Sequence, residues 1–256
     1  DDYRYRLRLG PPSPDFDLRV TPSMVSAPRR GVVPLTVYVL RQDGIDGEIA
    51  LALKGDSEGM ALSGGVIPAG ASHARMTVTM PATQPSRPLD LRLEGVGKLE
   101  GRVLRRSAVP ADNVMQAFLW RHLAPAQEWS VSVTKGWSRV PQFLPLSARG
   151  VRISAERPAH VRLQTRQPFK SRGSDRIVLR LDQPPPGISL DQQSVHIGAG
   201  EWRFDLEVDK TAGTRESSGT VLVQVMREYT PKGKPETVRL QEPIGYLPAM
   251  AVRIER

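Results

Sequence analysis

Residues 47–70 read GEIALALKGDSEGMALSGGVIPAG, and residues 175–200 read DRIVLRLDQPPPGISLDQQSVHIGAG. Ile49, Leu51 and Leu53 fall on Ile177, Leu179 and Leu181, and Gly59 and Leu62 fall on Gly187 and Leu190. Each pair stands 128 positions apart, until a small insertion near Val195. A repeat of that length is a whole domain rather than a solenoid unit of ~20–50 residues. Apolar residues recur at every second position, as a strand with one buried face requires. The stretch therefore predicts a duplicated β-domain.

The same period runs outward in both directions. Leu35, Val37 and Val39 alternate, as do Met76, Val78 and Met80, then Leu89, Leu91 and Leu93. In the second half Val161 and Leu163, then Phe204, Leu206 and Val208, then Val221, Val223 and Val225 follow suit. Turn clusters separate these runs: GPPSP at 10–14, QDGIDG at 42–47, QPPPG at 183–187 and PKGKP at 231–235. Short strands at such spacing predict an all-β chain of antiparallel sandwiches. The 23 Pro help to blunt strand edges, where a missing N–H costs little.

Two segments need separate readings. Asp112–His122 could be a capped helix on propensity. The repeat instead sets Gln116, Phe118 and Trp120 against Met250, Val252 and Ile254, which predicts a strand closing the first domain, with Ala124–Gln127 as linker. Tyr3, Tyr5, Leu7 and Leu9 alternate with arginines and have no counterpart ahead of the second copy. That orphan N-terminal strand reads as the last strand of an upstream domain. The expected organisation is thus 1–16 as that strand and a linker, 17–124 as the first sandwich and 125–256 as the second. The start at Asp1-Asp2, without Met, fits a piece of a longer protein.

Composition narrows the function classes. With 256 residues and no Cys, each half can bury a core without disulfides, and thiolate chemistry is excluded. The formal charge is +9, from 36 basic and 27 acidic residues. A polyanion partner is one reading of that excess. The basic residues are scattered, with only Arg29-Arg30 and Arg105-Arg106 adjacent, so solvated strand faces in an arginine-rich chain are favoured and nucleic acid is not expected. No apolar run approaches the ~20 residues of a membrane helix, so no membrane insertion is expected.

The N-terminal region carries a resemblance. DDYRYRLRLGPPSPDFDLRVTPS, at 1–23, resembles the end of a bacterial pre-peptidase C-terminal (PPC-type) domain running into an immunoglobulin-like module. VPLTVYVLRQDGIDGEIALAL, GMALSGGVIPAG and AVPADNVMQAFLWRHLAPAQE resemble regions that follow such domains in large secreted or surface proteins of planctomycete-like bacteria. The resemblance covers roughly residues 1–130, and the remainder only through the internal repeat. It implies two tandem immunoglobulin-like β-sandwiches in an extracytoplasmic multidomain protein, secreted, periplasmic or on the cell surface. PPC-type domains are themselves not catalytic, and only Asp2–Gly10 of one is present, so no ligand is carried over.

No reaction centre is evident, and no cofactor is expected. His73, His122, His160 and His196 all lie outside a nucleophile-elbow context. Asp43, Asp46 and Glu48 place three carboxylates within six residues and could hold calcium. A hairpin turn, in which Asp-Gly supplies positive φ between strands 33–41 and 47–53, is the favoured alternative. Trp120, Trp129, Trp137 and Trp202 are the remaining candidates for a ligand or interface, since exposed indoles stack on sugars and anchor contacts. Trp120 is expected to face the core, and Trp129 and Trp137 to pin the second domain to the first. The function expected is a non-catalytic spacer or adhesion module, partnered by other domains of its own protein or by cell-surface components. The alternative is an accessory module that binds polysaccharide beside an enzyme.

Overall fold

The computed structural model describes residues 11, 13–99, 101–115, 119–144, 150–169, 175–209, 217–235 and 237–255. The orphan strand expected at 3–9, and Gln116 and Phe118, lie outside the described residues. Every regular element among the described residues is a β-strand, as the alternation predicts. In chain order they are β1 (Asp15–Thr21), β2 (Met24–Arg29), β3 (Val32–Gln42), β4 (Ile49–Gly55), β5 (Ala61–Ser63), β6 (Val66–Ile67), β7 (His73–Thr79), β8 (Leu89–Leu99), β9 (Arg102–Met115), β10 (Arg121–Pro125) and β11 (Ser130–Trp137). The second half continues with β12 (Val151–Ser154), β13 (Ala159–Gln164), β14 (Arg176–Leu181), β15 (Ile188–Ile197), β16 (Glu201–Val208), β17 (Ser217–Val221), β18 (Val223–Tyr229), β19 (Leu240–Tyr246) and β20 (Met250–Glu255).

The buried apolar side chains form two separate clusters. One runs from Phe16 to Val133, with Leu18, Leu35, Met76 and Leu93 at its centre. The other runs from Val140 to Ile254, around Trp202, Phe204, Leu206 and Val225. In each, a strand's alternate residues face inward while their neighbours meet solvent; β16 alternates without a break, with Trp202, Phe204, Leu206 and Val208 buried.

The two halves share their pairing. In the first, β7 pairs antiparallel with β3, and β4 with β8. In the second, β16 pairs with β13, and β14 with β18. An early strand also lies parallel to a late one in both: β2 beside β11, and β12 beside β20. Such a connectivity, in which an opening strand joins the sheet of the closing strand, is immunoglobulin-like. Gly59 and Gly187, paired by the repeat, both take positive φ, 72° and 81°, at the turn between sheets.

Two expectations are corrected. The strand that closes the first core is β11, not the segment through Trp120. β10 folds back on β9, with Arg121 opposite Met115 and Pro125 opposite Ala111. That hairpin reaches past the core, so its side chains have no second sheet to face, and Trp120 is 73% exposed. Trp129, Val131 and Val133 supply the buried face instead. They follow the linker expected at 124–127, so the first core extends beyond the boundary set at residue 124. The Asp-Gly turn is the second correction. Asp43 and Gly44 do take positive φ, 49° and 85°. But β3 pairs with β1 and β7, whereas β4 pairs with β6 and β8, so the turn carries the chain between sheets and closes no hairpin.

The second core is organised around one indole. Phe143 and Phe169 meet Trp202 edge to face, with ring centroids 5.2 and 5.1 Å away. Trp202→Ala should cost about 3–5 kcal/mol in denaturant unfolding, whereas Trp120→Ala should stay within ~0.5 kcal/mol.

Candidate functional site

The junction of the two cores is built by β7 on one side and by β17, the β14 end and the 246–250 segment on the other. Thr77 points out of β7 and is fully buried. Its Oγ1 accepts the backbone N–H of Ala249 at 2.8 Å. Two positions earlier on the same face, Arg75 donates through Nη2 to Asp182 Oδ2 at 2.7 Å and through Nη1 to the Asp182 carbonyl. Tyr246 donates its hydroxyl to the same carboxylate oxygen at 3.0 Å, and Gln224 donates to Tyr246 at 3.2 Å. Period two thus places both Arg75 and Thr77 on the second unit.

These groups shift one another. Burial alone would raise Asp182, but the Arg75 hydrogen bond and charge, helped by the Tyr246 hydroxyl, outweigh it and hold the carboxyl below 3.8. Burial first, then the adjacent Asp182 charge, pushes Tyr246 up to about 12. Beside this contact opens a cavity of about 600 Å³. Edge strands β5 and β17 both line it, together with Phe143, Met250, Arg30 and Arg166. It is an apolar groove between the two units, of the size that holds small ligands.

The four tryptophans separate into two kinds. Trp129 and Trp202 are buried, 5% and 0% exposed, one in each core, and neither can stack on a ligand. Trp129 packs within the first core and does not pin the second unit. Trp137 is 53% exposed and lies at the end of β11. The Arg29 and Arg30 guanidiniums sit 4.0 and 4.9 Å from its ring centre, and Arg29 also donates to the Lys135 carbonyl at 2.7 Å. Trp137 borders a cleft of about 310 Å³ shared with Gln167, Phe169 and Ile244 of the second unit. Trp120 lies on the β9–β10 hairpin, where Leu119 and Met115 are also exposed. No pair of stacked, exposed indoles forms among the described residues.

The titratable candidates are also placed. Ser72 Oγ lies 3.3 Å from His73 Nδ1 at the exposed start of β7. Asp43 accepts the Ser13 N–H at 2.8 Å, and the Asp46 carbonyl accepts that of Gly70, so both serve the turn. No metal-binding group of three or more such side chains forms among the described residues. Sequence reading missed one constellation, which strand pairing brings together: His160, Ser194, His196 and Asp205 line a cleft of about 390 Å³. His160 Nδ1 pairs with Asp205 Oδ1 at 2.8 Å. The Ser194 hydroxyl, however, donates to the Asp191 carbonyl at 2.8 Å and accepts the Asp205 N–H at 2.7 Å. Its proton is committed to backbone, not to an imidazole, so this is not the arrangement of an activated nucleophile.

No family model matches the chain, and no curated protein matches it. Among solved structures it is similar to the D00-D0 domain of Intimin, at 10% identity and a TM-score of 0.28, over 91% of this chain and all of that one. At so low a score the immunoglobulin-like assignment rests on the strand pairing, not on this likeness.

The junction should respond to pH at both ends. The Asp182 contribution is complete above its unfolded value near 3.8 and is lost as pH falls through the lower folded value. Tyr246 contributes below its ordinary value of 10.0, and that contribution fades as pH rises toward about 12. Asp182→Ala removes the carboxylate partner of Arg75, whose side chain is only 17% exposed, and should cost about 1–3 kcal/mol at pH 7. The difference from wild type should shrink on acidification, as read by thermal unfolding across a pH series.

Proposed function

We propose that this chain is a non-catalytic structural and interaction module, a spacer or adhesive segment of an exported multidomain bacterial protein. It would consist of two immunoglobulin-like units dividing near Ser138, each closed by its own parallel strand. Its partners would be other domains of the same protein or cell-surface components. The observation that carries the reading is the junction. A spacer must transmit orientation, and the Arg75–Asp182–Tyr246 cluster with the Thr77–Ala249 bond ties the two cores without relying on a linker alone.

Further support comes from where polar groups are spent. Arg227 spans Asp175 and Glu242, and Arg139 joins the same Glu242 at 2.8 Å, so the segment after β11 is fastened to β18 and β19. Arg106 reaches across to Asp15 to fix β9 against β1. These ion pairs brace elements rather than converge on a reacting centre. The resemblance of residues 1–23 to the end of a PPC-type domain supports an extracytoplasmic setting.

Small-angle scattering with NMR relaxation tests the proposal. The wild-type chain should tumble as one body, and the Asp182→Ala/Thr77→Val double variant should separate into two units with distinct correlation times. Independent tumbling in the wild type would remove the spacer reading, and turnover of generic ester or peptide substrates by the purified chain would remove the non-catalytic one.

A further inference from the structure

The outer face of the β13–β16–β15 sheet carries an unfavourable row. Arg162 stands directly opposite Arg203 across the antiparallel pair. On the other side of β16, His196 stands directly opposite the same Arg203. Directly opposed like charges destabilise a sheet, and here the chain sets basic side chains at one level on three adjacent strands. The inward residues of β16 are fixed by the second core, so the row is a choice made on the free face alone. All three side chains are exposed and border the cleft of about 390 Å³ described above.

The surrounding acids only partly neutralise the row. Glu201 takes Arg203 Nε at 3.0 Å, and Asp205 takes His160 at 2.8 Å. Asp191 is used by the backbone N–H of Gln193 and, through its carbonyl, by Ser194. Among the described residues, Arg162 and His196 have no carboxylate partner. The Glu201 bond to Nε orients the Arg203 fork while its terminal nitrogens remain available. Basic side chains from three adjacent strands thus border one cleft. That arrangement suits a tetrahedral oxyanion better than a planar carboxylate, which one guanidinium fork satisfies.

We propose that Arg162, Arg203 and His196 form a binding site for a sulfate or phosphate group, free or carried on a sugar polymer. The site is independent of the spacer reading: either can fail while the other stands. It also places recognition on charge, where the tryptophans do not provide a stacking platform.

Affinity electrophoresis and calorimetry on the whole chain test this with dextran sulfate, unmodified dextran and carboxymethyl dextran. Dextran sulfate should be retained, and the other two far less. Arg162→Gln and Arg203→Gln should each weaken binding about 10-fold or more. Arg92→Gln, at an exposed arginine of β8 in the other unit, should leave it unchanged. Competition by inorganic sulfate or phosphate at low concentration would assign the site to the free ion, and its failure to the polymer-borne group. Arg162→Gln should also hold or slightly raise the melting temperature, since it relieves the opposed pair; binding loss therefore cannot be ascribed to unfolding. Absent retention of dextran sulfate, equal retention of carboxymethyl dextran, or equal weakening by Arg92→Gln would each overturn the proposal.

Discussion

An antiparallel hairpin can be made locally, but a parallel pair cannot, because its strands must be joined by a long path. Each core here is sealed by such a pair, β2 with β11 and β12 with β20. Val25 and Val131 lie side by side in the first, and Ile153 and Ile254 in the second, so the apolar face of each core is completed only when residues far apart in the chain meet. The β9–β10 hairpin lies on that path in the first unit. In the second, the chain passes from β19 to β20 through Leu247–Ala249 alone. The difference explains why one unit presents an exposed hairpin and the other presents its 247–249 segment to its neighbour.

The junction and the outer sheet face show two uses of the same period. On β7, alternate residues send Arg75 and Thr77 to the second unit while Met76 and Val78 fill the first core. On β16, alternate residues fill the second core while Arg203 and Asp205 meet solvent. In the first case the polar groups find partners and order two bodies. In the second, Arg203 pairs with Glu201 and Asp205 with His160, yet Arg203 also stands opposite Arg162 and His196. A strand's inward face is dictated by packing, and its outward face is free to be spent on contact or on recognition.

Much of this was legible in the chain. The alternation located β3, β7, β8, β13 and β16, and the match of Leu51 with Leu179 anticipated β4 and β14; the run Val221, Val223 and Val225, read as one strand, is divided at Leu222 between β17 and β18 of different sheets. The Asp-Gly turn was read correctly in its backbone and wrongly in its partners, since positive φ reports a reversal but not which sheet receives the next strand. Closure of the first core was misplaced because Gln116–Trp120 alternates as well as Ser130–Val133 does. Periodicity marks a strand with two unlike faces but does not say whether a second sheet waits opposite. The run WSVSV at 129–133, set against MAVRI at 250–254, was the better match. The row of Arg162, Arg203 and His196 could not be read beforehand, because it depends on register between strands far apart in sequence.

Membership of β11 in the first core has an effect on how the chain is made. A nascent polypeptide that has emerged only through Pro125 exposes the open edge of β2 and a core still lacking Trp129, Val131 and Val133. Until Trp137 has cleared the ribosome, that edge is available to any passing strand. The turn-rich, proline-bearing stretch from Ala124 to Glu128 therefore lies within the span of chain that builds the first core.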